Sequence, residues 1–371
     1  MNSDDFFLNL EHHFKSRLPF VAYRKPNNIV TKAFLQKTTD LHVTQYFQES
    51  GFVFAPFDDS NQTVLMPLAQ CEVLTCELEM NTSEKHYSNS NQTNDEDKAF
   101  HVNLVNKGID AIKKGLFHKV VLSRSETVDV SENISISVFK QLLQTYTSAF
   151  VYCWYHPNIG LWLGATPETL ISVTGNRFKT MALAGTQAYL GIQDVIWQKK
   201  EQEEQQYVTD YIETQLKSLV SDLKISETQT IKAGNLLHLQ SNISGILHTD
   251  LHSVLKKLHP TPAVCGLPVE EAKTFILKNE SYNRNYYTGF LGELNLKETT
   301  SRNTKKRNVE NNAYNSIKTV SHLFVNLRCM QIKTNEAFIY VGGGITKDSN
   351  TELEWQETVS KAETMKRALM S

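Results

Sequence analysis

The sequence predicts an α/β protein of the α+β kind, a single large unit with extensive antiparallel sheets and helices on their outer faces. Three observations carry that prediction. Short apolar pieces of strand-like composition recur along the chain, several joined by turn signals. Helical periods interrupt them at three places. No glycine-rich phosphate loop follows a first strand, and strands and helices do not alternate regularly, so a doubly wound nucleotide-binding domain is not expected.

Taken in order, the first marked segment is NTSEKHYSNSNQTNDEDK, from Asn81 to Lys98, which is almost devoid of aliphatic residues and reads as a surface excursion. Strand-like pieces follow: HKVVLSRSETVDV, FVYCWYH, IGLWLGATPETLISV and NRFKTMALAGTQ. A second polar stretch, Glu298 to Lys318, reads like the first. Beyond it come HLFVNLRCMQI and EAFIYVGGGI. Pro157-Asn158, Thr174-Gly175-Asn176 and Thr334-Asn335-Glu336 supply turns. Helical periods run from Asp194 to Val220, from Val269 to Lys278, and from Thr351 to the end.

At 371 residues, 40% hydrophobic and 21% charged, the chain can bury one large core or two ordinary ones. Its 38 basic and 40 acidic residues leave a net charge of -2, so no overall field draws it to nucleic acid or to an anionic membrane. The amino-terminal MNSDDFFLNLEHHFKS carries acids where a secretion signal needs bases, and no apolar run follows. A cytoplasmic protein is expected. Five scattered cysteines read as reduced thiols, with Cys153 and Cys329 inside apolar runs as small buried hydrophobes.

Several residues break their local pattern. Glu201 and Glu204 fall on the apolar stripe traced by Trp197, Val208, Tyr211, Ile212, Leu216 and Leu219, and an inward carboxylate needs a cation or a proton. The competing reading is that KKEQEEQQ is a solvated charge run. In the last helix Glu354, Lys361 and Met365 share a face and Glu357 lies about 60° away, at ~100° per residue. An ordinary Glu357–Lys361 surface pair competes there. Two acidic helices flanking an arginine would suit Mg2+ with an anionic substrate.

Arg328 stands in the apolar strand HLFVNLRCMQI and must find an anion; a structural ion pair is the alternative. Gly342, Gly343 and Gly344 close the next strand, where bare backbone N–H groups can approach an anion, or where a plain bulge occurs. Lys119 lies mid-strand on one face with Phe117 and Val121, a setting that lowers an ammonium pKa and suits a general base, unless the side chain snorkels to solvent. Glu168 follows Pro167 at a strand end. A raised pKa would make it a proton donor, and a turn carboxylate is the alternative.

Ten blocks, in this order, resemble the chorismate-utilising enzymes: KVVLSR from Lys119, GATPE from Gly164, LAGT from Leu183, EEQQYV from Glu203, HL from His238, LHPTPAVCGLP from Leu258, NRNYYTGFLG from Asn283, LRC from Leu327, GGGIT from Gly342 and EWQETVSK from Glu354. The resemblance spans residues 101–371, a chorismate-binding catalytic domain, with residues 1–100 a weakly matching part of the same unit. It implies a large fold with antiparallel sheets, Mg2+ held by Glu204 and Glu357, and Glu201 and Glu354 behind them. It implies substrate contacts from Ala184, Gly185, Thr186, His238, Arg328, Tyr340, the Gly342–Gly344 amides and Lys361. Base and acid fall on Lys119 and Glu168.

Within the family the chain reads closest to isochorismate synthase: water attacks C2 of chorismate and the C4 hydroxyl leaves. Aminodeoxychorismate synthases place a lysine nucleophile where this chain has Ala184, and an alanine cannot form that bond. Salicylate synthases share the lysine and acid and go on to eliminate pyruvate; anthranilate synthase component I is the more remote alternative. The resemblance further implies a monomer feeding menaquinone or siderophore biosynthesis. One departure is visible: the usual neighbours of the metal helix are replaced by a glutamine-rich EEQQ.

Overall fold

The computed structural model describes residues 1–58, 61–78, 95–131, 135–189, 191, 192, 194–234, 236–300 and 316–370. In chain order they form α1 (Ser3–Lys15), β1 (Phe20–Arg24), β2 (Val30–Gln36), β3 (His42–Val43), β4 (Gly51–Ala55), β5 (Val64–Pro67), β6 (Cys71–Glu77), α2 (Asp95–Lys113) and β7 (Lys119–Asp129). Next come α3 (Ser135–Thr145), β8 (Phe150–His156), β9 (Gly160–Thr166), β10 (Thr169–Thr174), β11 (Arg177–Ala188), α4 (Lys199–Leu216), β12 (Val220–Ile225), β13 (Gln229–Ala233) and β14 (Leu236–Leu247). The chain finishes with α5 (Leu251–Leu258), β15 (Gly266–Leu267), α6 (Val269–Asn279), β16 (Phe290–Thr300), β17 (Ser316–Val325), β18 (Cys329–Lys333), β19 (Glu336–Ile345) and α7 (Thr351–Leu369).

The strands make two antiparallel sheets. The first runs β15-β7-β19-β18-β9-β8-β1-β2-β6, and the second β12-β14-β11-β10-β17-β16-β4-β5-β3, with β13 also paired to β14. Residues 20–77 therefore supply strands to both sheets. Packing explains why the strands read as unbroken apolar runs instead of alternating ones. Along β8, Val151 and Cys153 face a core shared with α1, α3 and α7, while Phe150, Tyr152 and Trp154 face an aromatic layer between the two sheets. Both faces are covered, so both must be apolar. On the far side of the second sheet, Val208, Ile212 and Leu216 of α4 and Val254 of α5 pack against Ile171 and Ile243. The layers run helix, sheet, sheet, helix, as the composition and patterning predict.

Both predicted buried thiols, Cys153 and Cys329, are fully buried. Three boundaries differ from expectation. HLFVNLRCMQI is two strands in different sheets: β17 ends at Val325, the chain turns through Arg328 at φ 46°, and β18 begins at Cys329. An apolar run passing between two buried sheets cannot be told by composition from one long strand. IGLWLGATPETLISV divides the same way, at Pro167-Glu168 between β9 and β10. The helix expected from Asp194 starts at Lys199, so Trp197 lies ahead of it, its indole donating to Thr230 Oγ1 at 2.9 Å. The polar stretch 81–98 lies outside the described residues up to 94 and is α2 from Asp95; stretch 298–318 lies outside them at 301–315, its ends belonging to β16 and β17. Among the described residues no helix is long and apolar enough to cross a membrane.

Candidate active site

Two of the places where the chain leaves one sheet for the other, β9 to β10 and β17 to β18, are bonded to each other. Ala165 N donates to Arg328 O at 3.0 Å, Val325 N to Glu168 O at 3.0 Å, and Thr166 Oγ1 to Val325 O at 2.6 Å. Glu168 and Arg328 thus stand side by side at the crossover, where strand neighbours give out and side chains can turn into a cavity. That cavity encloses about 710 Å3 of empty space, counting its open mouth.

Its lining includes Glu168, Ala184, Gly185, Thr186, Glu204, His238, Arg328, Tyr340, Gly342, Gly343, Gly344, Glu357 and Lys361. Every one of these was singled out in the sequence. Lys119, Glu201 and Glu354 are not on its wall. Lys119 is fully buried, its ammonium 2.9 Å from Glu204 Oε1, so the lysine expected among apolar neighbours instead reaches a carboxylate. Glu354 is buried and ion-paired with Lys200 of α4, and Lys361 bridges Glu357 Oε1 at 2.7 Å and Gly342 O at 2.9 Å. The i,i+4 pair on α7 exists, but it faces the cavity instead of open solvent.

The glycines make room for these carboxylates. On the side away from β7, β19 pairs with β18 only from Glu336 to Tyr340, so Gly342–Gly344 have no strand neighbour on that edge. A Cβ on Gly344 would overlap Glu204 Oε1, and one on Gly343 would lie 3.5 Å from oxygens of both Glu354 and Glu357. Two helices from opposite outer layers therefore aim acids at one glycine strand. Gln205 seats α4, its amide donating to Ala182 O at 3.1 Å and Ser241 Oγ at 3.3 Å. On β7, Arg124 seats α7: its guanidinium lies 4.4 Å from the Trp355 ring centroid and donates to Thr358 Oγ1 at 2.9 Å.

Across the cavity, β11 bulges between Ala184 and Gln187, with Gly185 at φ 69°. His238 Nδ1 lies 2.9 Å from Gly185 O and Nε2 2.7 Å from Arg328 Nη2. Only a neutral ring protonated at Nδ1 satisfies both contacts, since the carbonyl must accept and the guanidinium must donate. Burial, then the Arg328 charge, hold His238 down at about 3, consistent with that tautomer. Arg328 also donates to Ala233 O at 2.9 Å; among the described residues no carboxylate bonds it, and burial lowers it to about 10. The anion it was expected to find is therefore not a protein side chain in reach.

Glu168 is pushed up to about 8, because complete burial outweighs the opposing charges of Lys119, Lys361 and Arg328. A carboxyl so placed holds its proton at neutral pH. Glu204 shows the opposite balance: burial raises it, but Lys119, Lys200 and Lys361 bring it below the usual carboxylate range. Burial and then Glu357 raise Glu354. One oxygen each of Glu201 and Glu354 is buried without a hydrogen-bond partner. Unpartnered buried carboxylate oxygens near two facing glutamates are what a hard cation with bound water would satisfy. A separate trio, Glu293, Glu298 and His322, could also converge on an ion. There, however, Lys25 and Lys32 already bond Glu293 at 3.0 and 2.8 Å.

Sequence reasoning did not single out Val121, Leu183, Val264, Tyr287, Thr288 and Leu327, which also line the wall. Most are apolar residues in apolar surroundings and carry no local oddity to notice. Lys200 was passed over because it belongs to a charge run, although its ion pair with Glu354 joins the two acidic helices.

The model of the chorismate binding enzyme family matches residues 44–301, and a second chorismate binding enzyme model matches residues 314–367. The chain belongs to the chorismate-binding enzymes. Isochorismate synthase DhbC of Bacillus subtilis is 28% identical over 287 residues, which cover 72% of this chain and 67% of that protein. The chloroplastic isochorismate synthase 2 of Arabidopsis thaliana is 28% identical over 71% of this chain, and the match spans only 46% of its own length. Among solved structures, MenF, the menaquinone-specific isochorismate synthase from Escherichia coli, superposes with a TM-score of 0.74 at 21% identity, covering 95% of this chain and 88% of MenF.

Proposed function

We propose that this chorismate-binding enzyme is an isochorismate synthase, adding water at C2 of chorismate and releasing the C4 hydroxyl, in menaquinone or siderophore biosynthesis. The observation that carries the reading is Glu168: a wholly buried carboxyl in the cavity wall, at about 8, with Lys119 the first of the charges acting on it. A protonated acid in the cavity wall, with a lysine buried just behind it, suits an exchange in which one hydroxyl arrives and another departs. Names of relatives support the same activity.

In the assigned roles, Lys119 first passes its ammonium proton to Glu204 Oε1, the acceptor 2.9 Å away, its neutral amine then takes the proton of the attacking water, and Glu168 gives its proton to the departing hydroxyl. Arg328, held flat by His238 and the Ala233 carbonyl, receives a substrate carboxylate with its remaining donors. Lys361 and the unpaired edge of Gly342–Gly344 face a second anionic group, and Tyr340, stacked 5.3 Å from Trp162, closes the side. Ala184, Gly185 and Thr186 form the opposite wall.

Mg2+ is the cofactor that fits: Glu204 and Glu357 would hold it, with Glu201 and Glu354 bonding its water, and when bound it neutralises a substrate carboxylate. Lys119, Lys200 and Lys361 pair with Glu204, Glu354 and Glu357 and offset the charge of these acids from the protein side. We further propose a cytoplasmic monomer in which residues 1–100 and 101–371 act as one unit, without nucleic-acid or membrane partners.

Incubation with chorismate and Mg2+, followed by chromatography, tests the activity. Isochorismate is the expected product. Salicylate with pyruvate, anthranilate when ammonia is supplied, or unchanged chorismate would each overturn it.

A further inference from the structure

Behind the cavity wall, outside its lining, lies an arginine whose five N–H bonds are all used. Arg284 is 1% exposed and Glu280, four residues before it at the end of α6, 2%. The guanidinium donates to both Glu280 oxygens, from Nε at 2.8 Å and Nη2 at 2.6 Å. Its other bonds go to Val121 O at 2.7 Å, Val264 O at 3.0 Å and Thr288 Oγ1 at 3.3 Å. Those three acceptors belong to three separate segments, and all three residues line the cavity.

Glu280 extends the grip. Its Oε1 accepts from both Ser123 N and Ser123 Oγ at 2.8 Å. The pair thus holds β7 at Val121 and Ser123, just beyond Lys119, and ties that strand to the opposing wall. Val121 N also donates to Cys265 O at 2.7 Å, so this wall segment is laced to β7 from both sides. Thr288 has φ 60°, a conformation a β-branched residue rarely adopts, and its hydroxyl is an Arg284 partner. A planar fork with fixed donor directions is suited to setting such distances; a lysine has a single nitrogen and no fixed directions.

We propose that Arg284, paired with Glu280, is a positioning residue for the proton-transfer step: it sets the separation between the strand presenting Lys119 and the wall formed by Val264 and Thr288. Its contribution falls on kcat, because its five N–H groups bond none of Arg328, Lys361 and the Gly342–Gly344 amides assigned to the substrate carboxylates; it reaches them only at one remove, through the β7 ladder to Gly342 and Gly344 and the Thr288 N bond to Asn326 O. The inference rests on Lys119 acting as base.

The test compares Arg284→Lys and Ser123→Ala with the full-length wild type, measuring kcat and KM for chorismate with Mg2+ present and thermal unfolding alongside. Arg284→Lys is expected to lower kcat about 10- to 100-fold, as small misplacements do, while KM stays within about threefold. Ser123→Ala removes the hydroxyl bonds to Glu280 Oε1 and Tyr282 Oη and keeps the backbone bond to Glu280. It is expected to fold and to lower kcat about threefold with KM unchanged. Folded variants with wild-type kcat, or with the loss residing in KM, overturn the inference. Should Arg284→Lys not fold, Ser123→Ala decides by the same criterion. A wild-type protein inert toward chorismate overturns the proposed function, and this inference with it; an active wild type with unaffected variants overturns the inference alone.

Discussion

Glu168 carries the sharpest expectation at the scale of single residues. Burial raises its pKa from 4.5 to about 8, so its proton is present below that value and lost as pH rises through it. An acid that must give up a proton therefore works at neutral pH and fails in mild alkali. The rate is expected to decline above about pH 8, and Glu168→Gln to abolish turnover while chorismate still binds in equilibrium titration. A variant with near-normal rates removes Glu168 from the chemistry; the same criterion applies to Lys119→Ala. Gly344→Ala probes the carboxylates directly. The added methyl would overlap Glu204 Oε1, so turnover should fall about 100-fold, the order a misplaced charged group costs, with little change in the unfolding midpoint. These residues were legible in the sequence because each breaks its surroundings: a lysine and two acids among apolar neighbours, and three glycines in a row. Val264, Thr288 and Leu327 were not, since nothing local marks an apolar residue that faces a cavity instead of the core.

Between residue and fold lie the two helices that bring the acids together. The stripe of α4 and the α7 face of Glu354, Lys361 and Met365 were read from spacing; the structure buries Glu354 and Met365, leaves Lys361 half-buried, and adds Trp355, Thr358, Ala362, Lys366 and Ala368 to the buried face. Their partners were not readable, because Arg124 on β7 and Ala182 on β11 are more than fifty residues from Trp355 and more than twenty from Gln205, respectively. Trp355→Ala empties the place where Arg124 stacks and is expected to destabilise the protein by about 3–5 kcal/mol. Chemical denaturation checks this, and a loss below about 1 kcal/mol would show that α7 docks without it. The divided strands teach the reverse lesson. HLFVNLRCMQI looks like one element because both sheets bury both of their faces, and only the turn at Arg328 separates its halves.

Over the whole molecule, the two sheets are joined by covalent crossovers at the active site and, elsewhere, by a buried charge cluster. Glu293 of β16 accepts from Tyr23 at 2.5 Å on β1 and from Lys32 at 2.8 Å on β2. Burial alone would raise this carboxyl, but Lys32 and Lys25 outweigh it and hold Glu293 at about 2. Because the folded value is depressed, the stabilisation is present above the unfolded value of 4.5 and is lost as pH falls from there toward 2. Glu293→Gln leaves Lys32 without its counter-charge and Lys25 with Glu298 alone, and should cost about 1–3 kcal/mol at pH 7. The same substitution should flatten the pH dependence of unfolding between 4.5 and 2; an unchanged acid profile would show that this cluster does not link the sheets energetically.

The antiparallel, helix-covered architecture and the charged and glycine residues nominated for chemistry were legible in the sequence, because periodicity, turn residues and misplaced charges are local properties; Ala184, Gly185, Thr186, His238 and Tyr340 came only from the resemblance to the family. Tertiary structure decided which of those residues share one cavity, that Lys119 meets Glu204 instead of apolar neighbours, and that Glu168 and Arg328 face inward where two strands change sheets. It also decided the protonation states of Glu168 and His238. Each of these depends on burial and on charges from segments far apart in the chain, and neither quantity exists until the chain has folded.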